Sequence, residues 1–253
     1  MVGPVLRGEP HPLSAVESFG LVFVGQPQAD TPARLTPGPA GDLLIYASGL
    51  GLSALWVPGW LIAAPLWMPG LVAAEQAACR AAVNAHPDRL SAVRQAMAQW
   101  PVLADLNARL ALLLTGRAPA RLPLAEAGAS DAPPAYPSGV VADAVPKLLA
   151  RARSLGVEVV VVFDVSKIEL QVEASAACAS NLFVAGRIRA LRVSDGALLE
   201  RRPMQPDDCR GNAVVPLERV LTDDAALALL KEAAVDCAVR ELIQWTDLPW
   251  WTY

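Results

Sequence analysis

Between Asp42 and Glu75 the chain carries no charged side chain for 32 residues, LLIYASGLGLSALWVPGWLIAAPLWMPGLVAA. A buried helix in a soluble domain still turns one polar face to water, and this stretch has almost nothing to offer it. Its length also exceeds the ~20 apolar residues that span a bilayer core. Contact with membrane lipid through residues 43–74 is the first expectation; burial inside protein or against a partner is the alternative. Val57-Pro58-Gly59 lies near the middle, with Pro65 and Pro69-Gly70 beyond it. Proline removes a backbone donor and clashes with the preceding turn, so the segment reads as an apolar helical hairpin broken at Pro58-Gly59. Each arm of ~15 residues would reach ~22 Å, short of the ~30 Å hydrocarbon core, which suits a half-inserted hairpin. Trp56, Trp60 and Trp67 flank the break and are the candidate membrane contacts, because tryptophan favours the interface.

The flanks sharpen this choice. Arg34 precedes the segment, whereas Arg80, Arg89 and Arg94 follow it. A single span would place everything after it in the cytoplasm by the positive-inside bias. A hairpin keeps both flanks on one side and is compatible with an oxidising location.

Elsewhere the composition narrows little. Only 18% of the 253 residues are charged, against about 25% in ordinary soluble proteins, and much of the deficit sits in the one segment. A net charge of −4 gives no field favouring nucleic acid. The opening MVGPVLRGEPHPLSAVE lacks the charged and apolar regions of a secretory signal and is not read as one. Cys79, Cys178, Cys209 and Cys237 form no CxxC pair, and His11 and His86 lie elsewhere, so no zinc site is expected. Cys178 precedes an expected β-hairpin and Cys209 follows it. Strand ends leaving such a hairpin lie close, so a Cys178–Cys209 disulfide is geometrically reasonable; four buried thiols are the alternative.

Phe19–Val24 reads as a first strand, and the four prolines between Gln26 and Gly41 as a loop. After the apolar segment, helices are expected over Glu75–Ala85 and Asp88–Trp100, continuing to Leu114 before Gly116. Arg117–Gly139, rich in proline and alanine, is a linker. A helix from Val145 to Leu155 stops at Gly156 and feeds the clearest strand, Val157–Phe163, whose continuous valines imply burial on both faces. It runs on as DVSKIELQVEA. Leu182–Val193 is the next long strand, turning at Ser194-Asp195-Gly196 into Ala197–Met204, with a polar loop over Gln205–Asn212. Thr222 is a good cap for a last helix, in which Leu227, Leu230, Ala234, Cys237, Ala238 and Trp245 make one apolar stripe suited to covering a sheet.

This order, carried by ARSLGVEVVVVFDV, LFVAGRIRALRVSDGALL and the helix Asp223–Gln244, resembles the small α+β domain of envelope proteins: the curli secretion channel, the lipoprotein activators of penicillin-binding proteins and the TolB amino-terminal domain. It is also similar to Gram-negative lipoproteins that interrupt this domain with a Gly/Ala-rich apolar segment. The likeness is topological and covers Phe19–Val24 and Val141–Gln244; the lipid-attachment cysteine and its leader are missing from this chain. It implies a periplasmic location and a non-catalytic binding role, and it supplies no site residues.

Motifs for chemistry are weak. Gly49-Leu50-Gly51-Leu52-Ser53-Ala54 matches GxGxxA, but Pro58 would break the required helix early and no βαβ unit follows; close helix packing explains the small residues better. Ser48 and Ser53 lack the GxSxG elbow. Asp164, Lys167 and Glu169 read as an exposed strand end, and Asp207-Asp208 alone is a poor cation site. Arg187 and Arg189 share a strand face, and symmetric pairing about the turn sets Arg189 opposite Arg202. Like charges directly opposed cost stability, so Arg187, Arg189 and Arg202 are the anion-binding candidates, a solvated face with Glu200 nearby being the alternative.

The sequence therefore predicts an α+β chain: a sheet of four or five mainly antiparallel strands backed by helices, with an inserted apolar hairpin. It divides into an arm and first strand (1–42), the hairpin and helical insertion (43–116), the linker (117–139) and an α+β domain (140–253) completed by strand 19–24. No cofactor, metal or catalytic residue is expected. The role expected is a non-enzymatic, membrane-associated accessory or assembly protein of the cell envelope, on its periplasmic side, binding lipid through 43–74 and an envelope partner or itself. The alternatives are a subunit of an oligomeric secretion channel, or an enzyme with a pocket between sheet and hairpin.

Overall fold

A computed structural model describes residues 16–37, 73–114, 121–124, 141–174, 178–204 and 213–247. Segment 43–72, the linker 125–140 and Cys209 lie outside the described residues.

The class is mixed α+β. Six strands form one sheet: β1 (Phe19–Pro37), β2 (Arg121–Pro123), β3 (Val159–Ala174), β4 (Ala179–Arg192), β5 (Leu198–Met204) and β6 (Val215–Pro216). The order is β2-β1-β3-β4-β5, with β6 pairing one end of β4. The sheet is mixed rather than purely antiparallel. β1 pairs in parallel with both β2 and β3, because helices cross over between them, while β3, β4, β5 and β6 pair antiparallel.

β1 is also much longer than the strand expected to end at Val24, running on through the proline-rich stretch to Pro37. Its register with β3 shifts between Gly25 and Gln28 and again between Asp30 and Arg34. Pro27 and Pro32 fall inside those two shifts, where a residue without an N–H breaks no ladder bond.

Six helices lie among the described residues: α1 (73–85), α2 (Pro87–Ala98), α3 (Val102–Leu114), α4 (Val141–Ser154), α5 (Leu217–Thr222) and α6 (Asp224–Asp247). The valine run is buried on both faces as expected, and its alternation divides two cores. Val159, Val161, Phe163 and Val165 join the main core with Met97, Leu106, Leu110 and the α6 stripe. Val160 and Val162 face the other way, into a smaller core with Leu149 and Ala152 of α4. Each face thus removes apolar area from water at roughly 25 cal/mol per Å2.

The punctuation follows local chemistry. Gly156 takes a φ of +70° after α4, and the Val157 N–H returns to the Ala152 carbonyl. Arg153 reaches from α4 to donate twice to the Val193 carbonyl, fixing the β4–β5 turn to the helix. In that turn Gly196 has φ +72°. Asp195 accepts from the Ala197 N–H, and with Arg192 nearby this holds its carboxyl below the usual range. The α6 cap is Asp223, not Thr222: its Oδ1 accepts from the Ala225 N–H, whereas the Thr222 hydroxyl donates back to Glu218 inside α5. Leu217–Thr222 already forms a helix of its own, which moves the cap one residue along.

Candidate functional site

Three places on the molecule combine unusual chemistry with a defined geometry. The first is the end of the sheet where β3 turns toward β4. Pro37, the last residue of β1, pairs there with Ala174, the last of β3. Cys178, just before β4, is bonded to Cys79 of α1, with Cα atoms 5.4 Å apart. The expected Cys178–Cys209 pairing is therefore not the one formed. α1 reaches this end of the sheet and brings Cys79 next to Cys178 over a sequence separation of 99, a neighbour that hairpin geometry alone does not reveal. Cys237, buried in α6, is also in a disulfide.

The second place is the sheet face that carries α4. Asp164, Arg187, Arg189 and Arg201 are collected there by register: Asp164 is opposite Arg187, and Arg189 is opposite Arg201. Arg202 is not part of this face. The turn pairs Arg192 rather than Ser194 with Ala197, a shift of two residues, and a bulge between Ala190 and Leu191 restores one, so Arg202 stands opposite Ile188 on the main-core side. Arg189 Nη2 lies 2.7 Å from Asp164 Oδ2, and both side chains are largely shielded. Burial raises the Asp164 pKa above its ordinary value, and the Arg189 and Arg187 charges pull the other way. Further along the same face, Lys167 pairs with Glu169 at 3.3 Å. Glu169 is only 6% exposed, so it is not the exposed strand end that the mixed charges suggested.

The third place, missed by the sequence reading, is an open groove of about 510 Å3 between α3 and α6. Trp100, Leu112 and Val235 supply its apolar walls. The Trp100 indole N–H donates to Asp105 at 2.6 Å, and Arg109 grips Asp236 through both Nε and Nη2. Lys231 Nζ sits 5.5 Å from the centre of the Trp100 ring and donates to the Ala96 carbonyl. Each of these charged heads already has a protein partner, so the groove offers shape and an aromatic wall more than unmatched charge. The only sequence trace is the spacing of Asp105 with Arg109 and of Glu232 with Asp236, which puts charge on one stripe of each apolar helix.

Trp56, Trp60, Trp67, Ser48, Ser53 and the GxGxxA run lie outside the described residues, as do Asp207 and Asp208. Among the described residues no helix is long and apolar enough to cross a membrane, and no group of three His, Cys, Asp or Glu side chains could hold a metal ion. Set against protein-family models, curated proteins and solved structures, the chain matches none.

Proposed function

We propose that the protein is a non-enzymatic accessory or assembly component of the cell envelope, acting by binding, with its folded part on the oxidising side of a membrane that segment 43–74 enters and leaves again. The observation that carries this reading is the tie at both ends of that segment. Before it, β1 is bound into the sheet up to Pro37; after it, Cys79 is bonded to Cys178. Ala174, the partner of Pro37, and Cys178 both belong to the β3–β4 end of the sheet. One folded unit holding both flanks cannot lie on two sides of a bilayer. This supports a returning hairpin over a single crossing for the segment. The disulfides support an oxidising compartment, since cytosolic thiols are normally kept reduced. The charge-free length of the segment supports lipid as its surroundings.

The test is carbonate and detergent extraction of the native protein, comparing the full chain with a variant lacking Leu43–Ala74. Full-length protein that needs detergent, beside a deletion variant that does not, is the expected result. Full-length protein that is soluble without detergent would mean that the segment is buried in protein or in an assembly, and the membrane reading would fail.

A further inference from the structure

We propose that Arg187, Arg189 and Arg201 form a binding site for a soluble phosphate-bearing anion on the sheet face that carries α4. The site itself does not depend on whether segment 43–74 meets a membrane; the preference for a soluble source rests on that reading. Register places the three guanidiniums on adjacent strands of one face, with Arg189 and Arg201 directly opposed and Arg187 two residues along β4. Such positions are about 5–7 Å apart at the backbone, within the reach of three long side chains converging on one oxyanion. Among the described residues the one carboxylate paired across the strands with them is Asp164, opposite Arg187, and it is engaged by Arg189 at 2.7 Å. Three positive charges less one negative leave two uncompensated. Arg187 and Arg201 are exposed, and among the described residues neither forms a direct ion pair. Opposed like charges are destabilising across a strand pair, and a multiply charged anion seated between them removes that cost. Guanidinium is the side chain suited to the task, because its planar fork donates in pairs to phosphate oxygens.

Asp164 fixes the geometry. By holding Arg189 close to the sheet it leaves Arg187 and Arg201 as the arms that move to the ligand, so Asp164 is a positioning residue. The position along the sheet favours a soluble source over a lipid head group. β1 ends at Pro37 opposite Ala174, ten residues along β3 from Asp164, which is roughly 33 Å at strand rise.

Thermal unfolding of the purified full chain with inorganic pyrophosphate, against sodium chloride at matched ionic strength, tests the site. A ligand that binds the native state raises the midpoint by mass action. The expected result is a saturable rise in the wild type and in Arg202→Gln, and an affinity weaker by about ten-fold in Arg187→Gln and in Arg201→Gln, the loss of one charge-assisted contact. Without ligand, Arg201→Gln should be at least as stable as the wild type, since it relieves the opposed pair. No rise beyond the chloride control, an equal rise in the Arg187 and Arg201 variants, or a loss in Arg202→Gln as large as theirs would overturn the site. Flotation with phosphatidylglycerol against phosphatidylcholine vesicles separates the sources. Anionic-lipid flotation that Arg187→Gln and Arg201→Gln abolish, with no pyrophosphate response, would overturn the soluble ligand.

Discussion

The Cys79–Cys178 disulfide joins the middle of α1 to the residue that leads into β4, so the helix leaving the charge-free segment is held against the far end of the sheet. Cys79 is fully buried and belongs to the main core. The bond closes a loop of 99 residues in sequence. In the chain-entropy description a loop of that size restricts the unfolded chain by up to about 4.7 kcal/mol, and measured effects run near 2–4 kcal/mol. Replacing both cysteines by serine is expected to lower the unfolding free energy by about 2–4 kcal/mol, read by denaturant titration. Peptide mapping without reductant should recover Cys79 linked to Cys178; a Cys178–Cys209 peptide would reject this arrangement.

Asn107 of α3 completes the outer edge of β1. β2 pairs only with Phe19, Gly20 and Leu21, and the Leu124 N–H still reaches the Leu21 carbonyl. Two residues further along the same edge, at Phe23, the Asn107 amide supplies the partners. Its Oδ1 accepts from the Phe23 N–H and its Nδ2 donates to the Phe23 carbonyl, both at 3.0 Å. Asn107→Leu leaves two buried backbone groups unmatched, at about 1–3 kcal/mol each. The expected loss in a denaturation experiment is about 2–6 kcal/mol, with Asn107→Ala milder because water can enter. A loss no larger than that of a surface substitution would mean that the edge is satisfied some other way.

The features legible in the sequence are those written in short stretches of chain. The valines of β3 announce two-sided burial, Asp195-Gly196 announces a turn, Gly156 announces a helix stop, and the α6 stripe names its buried face. What escapes depends on neighbours distant in sequence. Prolines between Gln26 and Pro37 look like a loop until β3 is present to be paired with two register shifts. The turn closes between Arg192 and Ala197 and the bulge at Ala190/Leu191 then moves the register back by one, and the two together set Arg201 rather than Arg202 opposite Arg189. Cys79 and Asn107 acquire their partners only when the helices pack, so neither the disulfide nor the edge-completing amide follows from spacing. Arg187 and Arg189 share a sheet face as period-two alternation dictates, whereas Arg202, expected beside them, stands on the other face.

Gly25 and Gly186 stand on either side of Val165, one on β1 and one on β4. Gly25 has φ +125°, a conformation open to glycine and little else, and an added Cβ would run into the Val165 carbonyl. At Gly186 it would run into the Asp164 carbonyl. Both contacts are with backbone, which cannot swing aside as a side chain can. Gly25→Ala should therefore cost about 1–3 kcal/mol from conformation alone, with the overlap adding to it. Gly186→Ala should also destabilise and disturb the Asp164–Arg189 pair beside it. Gly156→Ala, where a Cβ meets nothing, should show only the milder penalty of its positive φ. Equal losses at all three sites in chemical denaturation would show that close approach to β3 is not the cause.

The same strand gives a prediction in pH. Burial raises the Asp164 pKa above 3.8, and the charges of Arg189 and then Arg187, with the hydrogen bond from Arg189, only partly oppose it. A carboxyl whose folded pKa lies above its unfolded pKa binds its proton more tightly in the native state. Its contribution to stability is thus fully present below about pH 3.8 and is lost as pH rises through the folded value. This is opposite to the usual salt-bridged acid, whose contribution is lost on acidification. Site-resolved carbon NMR of the Asp164 carboxyl should give a midpoint above 3.8 in the wild type and a higher one in Arg189→Gln, with a smaller upward move in Arg187→Gln. A wild-type midpoint below 3.8 would mean that the arginines outweigh burial. The face would then be held by its ion pair more than it is penalised by desolvation, and the acid-side stability would run in the ordinary direction.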